Sequence, residues 1–149
     1  MYTESQYEEF EKRMVETYPK MFAEPYGGFC VGEGWWPILE ELCSNIQHHI
    51  DWKKGVCPQV TVAQIKEKFG GLRFYYDGGD EQVRGMVSMA ESWAAHSCET
   101  CGAPGERRDG GWIKTLCDHH EAERQQKRKE YEDIALQKSI LEAMQGEAE

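Results

Sequence analysis

Four residues of types that commonly bind metal ions stand in two short doublets in the C-terminal half of the sequence. Cys98 and Cys101 form a CxxC pair followed by Gly102, and Cys117 and His120 form a second pair after fifteen intervening residues. Zn²⁺ prefers four tetrahedral ligands of thiolate and imidazole type. The pattern C-x2-C-x15-C-x2-H therefore predicts one zinc ion. Because the protein supplies all four ligands, we expect a closed, structural site whose binding energy stabilises the fold.

Two alternatives concern the same residues. His119 is the rival fourth ligand, although the matched two-residue spacing favours His120. A redox role for the CxxC pair would need a thioredoxin-like βαβ setting, which the flanking sequence does not supply.

An enzymatic role finds little support in the sequence. The triplet at 118–120 spells the Asp-His-His signature of a phosphoesterase family, but the other acidic motifs of that family are missing. Nucleases built on a similar zinc scaffold need a histidine at the end of a strand, and residues 112–116 contain none. No nucleophile stands beside a base in a recognisable motif. We therefore expect no catalytic residue, and an enzyme would need a site that the sequence does not reveal.

The remaining thiols have no matched spacing. Cys43 falls on an apolar helical stripe and is expected in the core, whereas the roles of Cys30 and Cys57 stay open. A second metal site that combines Cys43 and Cys57 with His48 or His49 is an alternative with irregular spacing.

The segment around the zinc pattern must form elements that bring the two doublets together. Residues 106–108 and 112–116 read as two strands joined by a turn at 109–111, and a long polar helix is expected from residue 121. Cys117 and His120 then lie at the start of that helix. A knuckle, a hairpin and a helix-borne second pair resemble a treble-clef zinc finger.

The rest of the chain predicts an α+β fold. Apolar residues at helical spacing indicate helices over 3–18, from Pro37 onward and over 81–97, the last capped by Asp80. Alternation of apolar and polar residues over 59–77 predicts a β-hairpin, while residues 25–34 contain too many glycines and prolines for a regular element. We expect an N-terminal region over 1–97 and a zinc module over 98–149, together one compact unit.

The charge bears on the choice of partner. The 149 residues carry a formal net charge of −10, concentrated at the two ends of the chain, which argues against nonspecific nucleic-acid binding. The alternative is a nucleic-acid contact formed by basic residues of the finger and the last helix. These residues are Arg107, Arg108, Lys114, Arg124, Lys127 and Arg128. A solvated helix face, balanced by neighbouring glutamates, is the simpler interpretation.

The compartment is expected to be the cytoplasm, which for the family resemblance described next means that of a host cell. No apolar run approaches the length of about 18 residues that a membrane span requires. The start of the sequence has neither a basic flank nor an apolar stretch, so no signal peptide is expected. Free thiols and zinc sites fit a reducing compartment.

Three segments together resemble a family of small proteins of tailed phages and prophages of proteobacteria. They are residues 32–39, residues 66–75 and the zinc pattern over 98–120. The resemblance implies a phage accessory gene and no particular activity. We therefore expect a non-enzymatic protein that binds a host protein, such as a host-defence factor. Its contact surfaces are expected at the two ends of the chain and in the aromatic loop at 26–36.

Overall fold

A computed structural model describes residues 3–23 and 25–146 and confirms the α+β class. The chain divides into two compact units, Met1–Cys117 and Asp118–Glu149. The first unit contains α1 (Glu4–Thr17), β1 (Phe29–Cys30), α2 (Trp36–Trp52), β2 (Thr61–Lys68), β3 (Gly71–Asp77), α3 (Glu81–Ala94), β4 (Glu106–Arg108) and β5 (Lys114–Leu116). The second unit is the helix α4 (Asp118–Gly146).

Helix α1 begins and ends where its sequence predicts. The Thr3 hydroxyl accepts the Gln6 backbone N–H, and the Gln6 side chain accepts the Thr3 N–H, so two N-terminal donors are satisfied. The helix ends two residues before Pro19, which cannot continue it. Phe10 and Met14 on its predicted apolar face are fully buried.

The hairpin of β2 and β3 is the centre of a three-stranded sheet. The strands pair antiparallel, with Ile65 opposite Phe74, and the register shifts by a bulge at Ala63. The turn consists of Phe69 and Gly70, both with positive φ, so the expected third turn residue, Gly71, instead begins β3. The predicted hairpin is confirmed, and its bulge interrupts the alternation of side chains along β2.

The third strand was missed. β1 pairs parallel with β2 through Phe29 opposite Ile65, inside the segment that we expected to be an irregular loop. A strand of two residues is too short to show an alternation of apolar and polar side chains. Phe29 is buried against Phe10, with ring centroids 5.1 Å apart, which shows that tertiary packing holds it in place.

Helices α2 and α3 pack on each other and, through α3, on the sheet. The Asp80 side chain accepts the backbone N–H groups of Gln82 and Val83, which confirms the predicted cap of α3. Trp93, expected on the buried face of α3, is 65% exposed. The buried face is formed by Val83, Val87, Ala90 and Ala94. Trp93 lies beside this narrower stripe and is therefore largely in solvent.

The hairpin between the cysteine doublets forms as predicted. β4 pairs antiparallel with β5, with Glu106 opposite Leu116 and Arg108 opposite Lys114. Helix α4 begins at Asp118, three residues before the expected start. Among the described residues, no helix is both long and apolar enough to cross a membrane.

Candidate metal centre

The four predicted ligands are brought together. One ligand atom from each of Cys98, Cys101, Cys117 and His120 lies within 4.8 Å of all the others, so the group could hold a metal ion. The Sγ atoms of Cys101 and Cys117 are 3.9 Å apart. Two thiolates on one tetrahedral zinc ion would be about 3.7 Å apart, so the spacing fits such an ion. His119 is outside this group, and its Nε2 lies 3.4 Å from a Glu123 carboxylate oxygen.

A tight backbone turn shapes the first doublet. The N–H of Gly102 donates to the Cys98 carbonyl at 2.8 Å, and the N–H of Cys98 donates to the Ala103 carbonyl at 2.7 Å. Gly102 has a φ of +77°, a left-handed conformation that glycine adopts without steric cost. This turn, which we call the knuckle (residues 98–102), directs the sulfurs of Cys98 and Cys101 to one side.

The local dipoles favour a thiolate at Cys98. Its burial raises the thiol pKa, but backbone N–H groups of Cys117, Thr100 and Cys101 at the sulfur outweigh this and lower the pKa to about 6. At Cys101 the N–H of Ala103 lowers the pKa, but burial and the neighbouring sulfurs outweigh that effect and raise it. Since the thiolate is the form that binds metal, the knuckle is prepared to receive a cation at Cys98.

The glycine-rich segment before α2 packs directly on the knuckle. The N–H of Gly34 donates to the Glu99 carbonyl at 3.0 Å. A Cβ atom at Gly34 would lie 2.5 Å from the Gly102 nitrogen and closer still to the Cys98 carbonyl oxygen, distances that real side chains do not reach. The indole N–H of Trp35 donates to the Ser97 carbonyl at 2.8 Å. These contacts attach the knuckle to the core.

This packing narrows the expected contact surface at 26–36, of which residues such as the exposed Cys30 stay available. Phe29, Val31 and Trp35 in that loop are buried, so their side chains are not available to a partner. Sequence reasoning gave the glycines no structural role. The sequence feature that could have indicated this role is the Gly-x-Gly-Trp run at 32–35 ahead of a helix. Such a run is typical of a segment that approaches another backbone closely, but it does not identify which part of the chain that backbone belongs to.

The hairpin of β4 and β5 is hydrogen-bonded to the turn of the hairpin of β2 and β3. The hydroxyl of Thr115 donates to the Gly70 carbonyl at 2.6 Å, and this bond is buried. The N–H of Glu99 donates to the Thr115 carbonyl at 2.9 Å, and that of Gly105 donates to the His96 carbonyl at 2.9 Å. Thr115 therefore links the knuckle to the turn between β2 and β3.

The basic residues of the finger have acidic partners. Arg107 lies 3.6 Å from Asp109, and Arg108 lies 2.8 Å from Glu106. Lys114 forms an ion pair with Glu99, which is itself buried.

The basic residues of α4 have a different setting. Arg124 lies 3.5 Å from Glu121 within the helix, whereas Lys127 and Arg128 are exposed. Four of the six basic residues expected to contact nucleic acid therefore have an acidic neighbour, which reduces the positive charge that they offer to phosphates. Nucleic-acid binding by that surface stays a prediction.

The leftover thiols have three different environments. Cys30 is exposed, and Cys43 is buried in the core as expected, where burial raises its pKa well above the usual range of a thiol. Cys57 is buried beside His49 and Asp80, and a ligand atom of each lies within 4.8 Å of the other two. The expected second cluster therefore includes Cys57 and His49 but not Cys43, and it gains a carboxylate that sequence spacing did not indicate.

Comparison of the chain with protein-family models, with curated proteins and with solved structures found no significant match.

The contact between Gly34 and the knuckle gives a first prediction. Gly34→Ala should lower the free energy of unfolding by about 1–3 kcal/mol, because the new methyl group forces two backbones apart. It should also weaken metal retention, since the displaced atoms belong to the ligand turn. Urea unfolding of the metal-loaded protein and metal analysis after dialysis measure the two effects.

Gly85→Ala is the matched control. A Cβ atom at Gly85 in α3 meets nothing within 4 Å, so the change should be neutral or stabilise the helix by about 0.5–1 kcal/mol. Equal stabilities of the two variants would contradict the role assigned to Gly34.

Proposed function

We propose that this chain is a small phage accessory protein that is stabilised by one zinc ion and acts by binding a host protein. The choice of zinc is supported by the donor set, because three thiolates and one imidazole in a compact group suit that ion better than they suit magnesium or calcium. All four positions of a tetrahedral ion are filled by protein. Such a site has no open position for substrate and stabilises the fold.

Metal analysis tests the zinc site. The purified chain should retain about one zinc ion. Cys98→Ser should not retain it, and its unfolding should be less cooperative with a lower midpoint than that of the wild type, because structural zinc contributes folding energy. Cys30→Ser, which changes an exposed thiol outside the ligand group, should retain both. A Cys98→Ser protein with wild-type stability and no zinc would contradict a structural role.

The surface that best supports protein binding is the groove between α2 and α3, with a volume of about 860 Å³. We call it the α2–α3 groove. Its apolar lining comes from Ile38, Leu42, Met86, Met89, Ala90 and Trp93. Met89 and Trp93 are 68% and 65% exposed and lie together in this apolar groove, and a contiguous exposed apolar patch is typical of an interaction site.

The lining indicates the chemistry of the partner. Two methionines give the groove a flexible wall, and two helices with a channel between them suit the apolar face of an amphipathic helix. Glu41 places a negative charge at the groove, and the whole chain is acidic. The partner segment is therefore a helix with apolar side chains flanked by lysine or arginine. The resemblance to phage proteins supports a bacterial host protein as its source.

A pair of tryptophan variants tests the groove. Trp93→Ala should reduce capture of the partner from host lysate at least tenfold, because buried tryptophans commonly dominate binding energy. Trp52→Ala is the matched control, since Trp52 is also exposed and helical but does not line the groove. Quantitative mass spectrometry of the captured proteins gives the readout. A partner lost equally with both variants, or with neither, would contradict binding in the groove.

A second candidate, binding of single-stranded nucleic acid, is favoured by one face of the sheet. Lys66 and Lys68 share one face of β2, and Lys66 pairs with Arg73 on β3. The ammonium group of Lys66 lies 5.3 Å from the ring centre of Tyr75, which is 42% exposed, and Phe69 is exposed at the turn. Cations interleaved with aromatic rings are typical of surfaces on which phosphates and bases bind.

Two double variants distinguish this face from the helix surface predicted from sequence. Lys66→Thr with Lys68→Thr should weaken binding of a short single-stranded oligonucleotide at least tenfold and reduce the salt dependence, because two phosphate contacts are lost. Lys127→Gln with Arg128→Gln in α4 should change it little. Fluorescence anisotropy at several salt concentrations measures both. Binding that does not weaken with salt would contradict this candidate.

A further inference from the structure

A second cluster of metal-ligating side chains lies at the opposite end of α2 from the knuckle. His49 is in the last turn of that helix, Cys57 is in the loop that follows, and Asp80 is the cap of α3. The loop and the turn before α3 are joined by the N–H of Gly79, which donates to the Pro58 carbonyl at 3.0 Å, and α2 packs on α3. The cluster therefore belongs to the rigid part of the first unit.

The Asp80 carboxylate is oriented by its role as a helix cap. Its Oδ1 accepts the N–H groups of Gln82 and Val83, each at 3.0 Å. Its Oδ2 is directed at His49, whose Nε2 lies 2.8 Å away. One oxygen is thus held by the backbone and the other is presented to the cluster, the arrangement by which outer hydrogen bonds orient a metal-binding carboxylate.

The access to the cluster is one-sided. His49 and Cys57 are only 6% and 2% exposed, whereas the Asp80 side chain is 34% exposed. An ion would enter beside Asp80, and the fourth position of a tetrahedral sphere would be filled there by water. The thiol and the imidazole would be shielded from solvent behind it.

We propose that His49, Cys57 and Asp80 form a second binding site for a divalent transition-metal ion of the zinc class, with water as its fourth ligand. The donor set of one imidazole, one thiolate and one carboxylate is suited to zinc, and the ligand atoms already lie within 4.8 Å of one another. A tetrahedral ion needs its nitrogen and oxygen ligands about 3.3 Å apart. The hydrogen bond between His49 and Asp80 must therefore open by a fraction of an ångström.

The second site is weaker than the first. It offers three protein ligands rather than four, and binding must displace the proton of the Cys57 thiol, whose pKa is raised by burial and by the neighbouring Asp80 carboxylate. The second equivalent of metal is therefore expected on addition of metal rather than in the protein as purified. Metal binding at the second site requires neither a metal ion at the knuckle nor a macromolecular partner.

Cobalt titration of the zinc-loaded protein tests the proposal. Zinc in the first site resists displacement, because cobalt binds such ligands less tightly. Wild-type protein should bind one Co²⁺ with the visible absorption of a tetrahedral ion and the near-ultraviolet charge-transfer band of a cobalt–thiolate bond. Metal analysis after the titration should still find one zinc per chain, which separates this result from any failure of the first site.

Conservative variants assign the ligands. Cys57→Ser should lose the thiolate band and weaken cobalt binding at least tenfold, and Asp80→Asn, which keeps the capping oxygen, should weaken it similarly. Cys30→Ser should bind as the wild type does. Thermal unfolding shows whether the variants are folded, and a Cys57→Ser protein that fails to fold leaves the Asp80→Asn result decisive. A wild-type protein without the thiolate band, or a band unchanged in both variants, would overturn the proposal.

Discussion

The close approach of the Gly34 backbone to the knuckle is the constraint on which the rest of the first unit depends. The carbonyl of Cys98 and the nitrogens of Cys101 and Gly102 occupy the space where a side chain at Gly34 would stand. Two backbones in such contact cannot shift independently. The indole of Trp35 adds a buried hydrogen bond to Ser97 on the same side. The ligand turn is thus part of the protein core rather than an appended finger.

This arrangement explains why the pKa values of two buried thiols are shifted in opposite directions. Cys98 and Cys43 are both buried, yet the pKa of Cys98 is lowered to about 6 while burial raises that of Cys43. The difference is the backbone: N–H groups at the Cys98 sulfur offset the cost of burying a thiolate. The hydrogen bonds from Gly34 and Trp35 hold the knuckle on the core and, with it, the donors at the sulfur.

The sequence predicts the parts of the structure that local chemistry determines. Helical spacing of apolar residues predicts α1 and α2, the Asp80 cap predicts the start of α3, and doublet spacing predicts the four metal ligands. The missed features depend on contacts distant in sequence. β1 is held in place by the packing of Phe29 on Phe10, and Asp80 meets His49 because the helices α2 and α3 pack on each other. The spacing of residues along the chain does not predict contacts between residues that are distant in sequence.

The position of the knuckle connects the metal to the proposed binding surface. Trp35, which bonds to Ser97, directly precedes α2, and Ser97 follows three residues after the end of α3 at Ala94. The same hydrogen bond therefore ties the first turn of α2 to the last turn of α3, the two helices that line the α2–α3 groove. A metal ion held at the knuckle would fix Cys98, the residue after Ser97, and through that hydrogen bond would restrain the two helices at this end. A structural ion that does not itself contact a partner would in this way restrain the width of the groove that we propose as the binding surface.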